Sequence, residues 1–196
     1  AICVISDLST NKAGTITSGL DRFMEWKTKD GDYENTAYAQ FDTFYEGMFQ
    51  KERLLDILKN FILFSGDGQK QFKILAGYHQ YFAVRKAIEK AKKTGVGIVT
   101  VRESYHFGIA GYYAKMACDE GLMGMACTNS EAIMVPTFGR KAMLGSNPIA
   151  VAMPADPYPF FFACSTTVVT RGKLEMYNKM NKPLPEGWAL DKDGHA

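Results

Sequence analysis

The chain has 196 residues, 46% of them hydrophobic and 22% charged, which is enough for one large domain or two small ones with a buried core. Its formal net charge of +2 supplies neither the basic field of a general nucleic-acid binder nor an acidic tail for a basic partner. No apolar run approaches the ~18 to 20 residues that cross a bilayer, so no membrane contact is expected and a cytoplasmic location is.

Taken in chain order, the apolar run Ala1 to Ser6 predicts a strand, followed by a turn-rich loop through Gly14 and Gly19. A short aromatic segment, Leu20 to Lys27, comes next. Helical spacing from Thr36 through Met48 and again from Leu54 to Ile62 predicts two helices, the second ending near Gly66. A third helix is expected from about Lys73 to Lys93, with Leu75, Tyr78, Phe82, Val84 and Ile88 buried and a basic end that suits the helix dipole. After Gly95 the pattern changes. Val96 to Val101 reads as a buried strand, Gly108 to Glu120 as a helix and Leu122 to Cys127 as a strand. Pro136 to Gly139 reads as a loop, Pro148 to Met153 and Phe160 to Cys164 as strands, and Thr167 to Lys179 as a helix before a turn-rich tail. The fold class expected is therefore α/β (α+β): a mostly helical fragment after one strand, then a mixed α/β fragment that is not a conventional Rossmann fold.

The chemistry-bearing residues are sparse. Cys3, Cys118, Cys127 and Cys164 form no CxxC pair, and His79, His106 and His195 lack zinc-site spacing, so a reduced chain without a structural metal is expected. Gln80 carries an amide able to pair with an adenine edge, although a surface glutamine is the commoner case. The Gly95-Val96-Gly97 pair fails as a dinucleotide fingerprint, because Thr100 stands where a third glycine is needed. His106 falls between a predicted strand and a helix N-terminus, where an imidazole with an ordinary pKa near ~6.5 can exchange a proton with a ligand.

Residues 1–92 resemble the R (restriction and motor) subunit of type I restriction enzymes. The resemblance rests on Ile5-Ser6-Asp7, Gly14-Thr15, Arg22 to Lys27, Arg53 to Ile62 and Ala76 to Val84, in that order. It implies a stretch from the end of a nuclease domain to the start of a motor domain, with Gln80 at the position that contacts the adenine of ATP. No GxxxxGK[ST] loop follows, so no useful ATP or Mg²⁺ binding and no DNA cleavage is expected.

Residues 87–196 resemble the malate/L-lactate dehydrogenase-type NAD(P)-dependent oxidoreductases. The motifs are Gly95 to Arg102, Ser104 to Tyr113, Thr128-Asn129-Ser130, Pro136 to Arg140, Leu144 to Ala150, Val168 to Lys173 and Pro185 to Asp191. The resemblance implies that His106 is the catalytic proton-transfer histidine and that Ser130, Cys164, Ser165 and Thr166 contact NAD or NADP. Ala163 departs from the aspartate usual at its position, so that contact is not carried over.

Residues 1–92 and 93–196 are accordingly expected to be two partial domains joined between Phe82 and Lys93, in a natural, engineered or mis-assembled chimera. The opening without methionine reads as that of a fragment. Taken alone, the chain is expected to be an inactive composite. Its expected partners are a small 2-hydroxy or 2-keto acid, if any, and a second copy through exposed apolar edges, with DNA not expected.

Overall fold

A computed structural model describes residues 2–7, 9–32, 40–65, 72–102, 107–191 and 193–195. The chain divides into two compact units, Ala1–Phe107 and Gly108–Ala196.

In the first unit, β1 (Ile2–Ser6) pairs antiparallel with β2 (Asn11–Thr15), and β2 with β3 (Met24–Glu25). The stretch containing Gly14 is thus a central strand, not the loop its glycine suggested. Tertiary packing overrides propensity here: Gly14 leaves room for the Phe23 ring, which a Cβ would meet at 2.8 Å. The buried Thr15 hydroxyl donates to the Lys73 carbonyl at 2.6 Å, and the Lys73 N–H donates to Thr17 Oγ1 at 2.7 Å, stitching the end of β2 to the strand Phe72–Leu75.

Helices α1 (Phe41–Met48) and α2 (Lys51–Asn60) form from the apolar spacing seen in the sequence. Gln50 caps α2 by accepting the Arg53 N–H at 2.9 Å. The helix stops at Asn60, and Ile62–Ser65 is instead β4, paired antiparallel with β5 (Phe72–Leu75). Lys73 to Leu75, expected to begin the third helix, is therefore strand. Gly77 breaks the helical run, and α3 covers Tyr78–Thr94. Gly95, at φ 86°, ends α3 with its N–H on the Ala91 carbonyl at 2.8 Å.

The core of this unit surrounds Trp26, whose ring lies 5.8–6.1 Å from those of Tyr78, Tyr81 and Phe82. Phe44, Met48, Ile57, Phe61, Leu75 and Ile88 complete it. A large side chain buried in this way contributes roughly 1.5–3 kcal/mol. Asp56, which burial alone would raise, is held below the usual carboxylate range by hydrogen bonds from Arg85 and Asn60 and by the Arg85 charge. The predicted strand Val96 to Val101 is not formed: it has no ladder partner among the described residues, and Val96, Ile98, Val99 and Val101 are exposed.

In the second unit, α4 (Ala110–Asp119) covers one face of the antiparallel sheet β6 (Gly124–Cys127), β7 (Ile149–Met153) and β8 (Phe160–Cys164). Ala150 and Ala152 of the central strand are buried. On the other face Met125, Val151 and Phe162 share one register row, with Met125 and Phe162 exposed. α5 (Arg171–Lys179) follows, and the tail returns Trp188 to it, 5.1 Å from the Tyr177 ring and under the Lys173 ammonium. Among the described residues, no helix is long and apolar enough to cross a membrane.

Two predictions follow from the packing of the first unit. A Cβ at Gly47 would sit 2.5 Å from the Thr28 carbonyl and 2.6 Å from the Trp26 ring, so Gly47→Ala is expected to cost about 1–3 kcal/mol in urea unfolding. Burial holds the His79 pKa below its ordinary 6.5, so the folded state resists its protonation. That contribution to stability is complete above pH 6.5 and is lost as the pH falls through the lower folded value. His79→Gln should flatten the fall in the urea midpoint on acidification.

Candidate functional site

Three chain segments converge at one end of the sheet in the second unit. Cys127 of β6, Ile149 of β7 and Cys164 of β8 share a register row, so the residues just outside that row meet. Thr128 N–H donates to the Pro148 carbonyl at 3.2 Å, extending the β6–β7 pairing by one step. The excursion between Ser130 and Ser146 closes on itself through the Met134↔Leu144 bridge, with Met134 N–H on the Leu144 carbonyl at 2.7 Å. Its two ends are thereby returned side by side.

There Ser130 Oγ accepts the Ser146 N–H at 2.9 Å and lies 3.1 Å from Ser146 Oγ, while Ser130 N–H donates to Asn147 Oδ1 at 3.0 Å. Just past β8, Thr166 donates its N–H and its hydroxyl to the Ser146 carbonyl at 2.8 and 3.2 Å. Ser165 Oγ sits 3.1 Å from Thr167 Oγ1. Two backbone features permit the approach. Gly145 is buried, and a Cβ there would run into the carbonyl and hydroxyl of Ser130. Asn147 adopts φ 35°, in the left-handed region that asparagine tolerates better than most residues.

The side chains making this cluster are neutral, and Ser130 and Thr166 are exposed. Hydroxyl groups both donate and accept, so the set suits the amide and hydroxyl groups of a ligand better than an isolated ion. Of the residues expected at a cofactor site, Ser130 and Thr166 are brought together through Ser146. Cys164 and Ser165 lie on the same β8 end. Ser146 and Asn147 were missed as site residues although they stand in the Leu144 to Ala150 motif; the Gly-Ser-Asn-Pro run was the available signal.

His106 lies outside the described residues. Gln80 belongs to the first unit, where its Oε1 accepts the Gly77 N–H at 2.9 Å and caps α3. That bond uses the acceptor with which an adenine edge would pair, so the amide acts here as a helix cap. His79, beside it, packs its ring edge-on to Tyr78.

The profile of the malate/L-lactate dehydrogenase family matches residues 59–196. A malate dehydrogenase of Pyrococcus abyssi is 49% identical over 128 residues, which is 65% of this chain and 34% of that protein. An L-sulfolactate dehydrogenase of Methanocaldococcus jannaschii is 46% identical over 57% of this chain and 33% of its own length. Among solved structures, a malate dehydrogenase from Entamoeba histolytica superposes with a TM-score of 0.55 at 34% identity, covering 76% of this chain and 44% of that one. The chain thus spans about a third of the curated relatives it matches. The matched span starts at residue 59, ahead of the change of family expected between Phe82 and Lys93, so all of α3 lies inside it.

Removing the Ser130 hydroxyl leaves the Ser146 N–H without its acceptor, and Ser130→Ala is expected to cost about 0.5–1.5 kcal/mol in chemical denaturation. Gly145→Ala, which forces the two loops apart, should cost more.

Proposed function

Because the chain belongs to the malate/L-lactate dehydrogenase family, we propose that it is a central piece of an NAD(P)-dependent oxidoreductase acting on small 2-hydroxy and 2-keto acids. The observation that carries this reading is the Ser130–Ser146–Thr166 cluster, because two of its three members are the positions the family resemblance assigns to the cofactor. When bound, the nicotinamide supplies the hydride acceptor or donor.

Around it, the residues of this chain have separate tasks. Ser130 and Thr166 would hold the cofactor through neutral hydrogen bonds, with Ser146 keeping both in register. His106 takes the hydroxyl proton as the substrate carbon loses hydride, and returns it to the carbonyl oxygen in the reverse direction. The antiparallel pairing of β6, β7 and β8 supports reading this surface as other than a parallel-stranded Rossmann crevice. The Met125–Val151–Phe162 row would receive a second copy of the chain, because an exposed apolar sheet face gains most from burial.

The R-subunit reading of residues 1–92 rests on its motifs alone, and the chimera and inactive-composite readings depend on it; none gains support from the fold.

Titration of NADH and NADPH into the purified chain by calorimetry tests the proposal. Saturable heat with a rise in melting temperature is expected, about tenfold weaker in Ser130→Ala, the loss of one good hydrogen bond. No heat in a chain that still melts cooperatively would defeat it.

A further inference from the structure

The first unit contains a cavity of about 460 Å³ that has no part in the reading above. Its size falls among the pockets that hold small molecules, roughly 300–1,000 Å³. One wall is α3, through Tyr78, His79, Phe82, Ala83 and Lys86. Opposite are the loop after β3, through Lys27, Thr28, Gly31 and Asp32, and the extended segment 99–102.

The lining has two characters. Tyr78, Phe82 and Ala83 present ring and methyl surface; the Phe82 ring is braced by Gly31, where a Cβ would meet it at 2.5 Å, and by Arg53 at 5.0 Å. Lys27, Lys86 and Arg102 bring three cations to a lining with one carboxylate, Asp32. Lys27 stays protonated beside Glu25, its Nζ 2.8 Å from the carboxylate. Lys86 pairs with Asp32, whose side chain is 79% exposed, and also feels the charge of Asp30. An ion pair so open to water contributes little, so an incoming anion can exchange for Asp32 at small cost. His79, held neutral by burial, adds a hydrogen-bonding group without adding charge.

We propose that this cavity binds a small organic anion built on a planar ring, with the ring against Tyr78 and Ala83 and the anionic oxygens on Lys86 and Arg102. Carboxylate and phosphate heads share the chemistry that a lysine and an arginine fork recognise.

The test follows the His79 ring signals by NMR, assigned by their loss in His79→Gln, while benzoate, phenyl phosphate, benzyl alcohol and inorganic phosphate are added separately to the full chain. Saturable shifts with benzoate or phenyl phosphate are expected, with neither benzyl alcohol nor inorganic phosphate matching them. Binding by one aryl anion and not the other identifies the head group. Lys86→Met with Arg102→Met should weaken binding about tenfold or more, as the loss of a charge-assisted hydrogen bond implies. Ala83→Phe, which fills the cavity from α3, should abolish it. The proposal is overturned if neither aryl anion shifts His79, if benzyl alcohol binds as tightly as benzoate, if inorganic phosphate matches phenyl phosphate, or if the charge-removed variant binds unchanged. Should a variant fail to fold, the four-probe comparison on the unaltered chain still decides.

Discussion

Helix α4 lies against its sheet through some of the smallest side chains in the chain, and the geometry of the second unit depends on that close approach. Gly124 of β6 passes beneath the Ala114 carbonyl, and Gly111 of α4 leaves room for the Phe161 ring, which a Cβ would meet at 2.6 Å. Ala150 and Ala152 fill the centre with little more than methyl groups. Larger residues would lift the helix, and interiors packed to crystal-like density accommodate such changes poorly. With the helix seated, β6, β7 and β8 end in one register row, and Ser130, Ser146 and Thr166 meet beyond it.

The first unit is organised on the opposite principle, large rings around one indole. Trp26 is nearly fully buried among Tyr78, Tyr81 and Phe82, and its Nε1 has no hydrogen-bond partner among the described residues. Ring packing and area burial therefore outweigh one unsatisfied donor at this site. The same α3 face carries Arg85 to Asp56 and Phe82 to Gly31, so one helix organises both the core and the cavity. The second unit thus holds a cluster of neutral hydroxyls and the first a cavity bordered by charge, two kinds of chemistry on separately packed supports.

Regular, locally encoded elements were legible in advance. α1, α2, α4, β6, β7 and β8 appear within a few residues of where apolar spacing placed them. The errors share a cause. β2 was hidden by Gly14 and by polar residues such as Thr15, whose buried hydroxyl is satisfied by the Lys73 carbonyl, 58 residues away. β4 and β5 were absorbed into helices because short apolar runs fit either period. Val96 to Val101 has the composition of a buried strand, yet its backbone joins no ladder among the described residues.

By itself the sequence determined the family, since ordered motifs over residues 87–196 carry it without coordinates, and it determined which residue types reach the candidate cofactor surface. Only the tertiary structure decided that Ser146 is the bridge between Ser130 and Thr166, that Gln80 caps α3, and that Lys27, Lys86 and Arg102 border one cavity. Motifs are local and survive in one dimension. Convergence of residues 16 to 75 positions apart depends on strand register and on how closely helices can approach, which no single stretch of chain encodes.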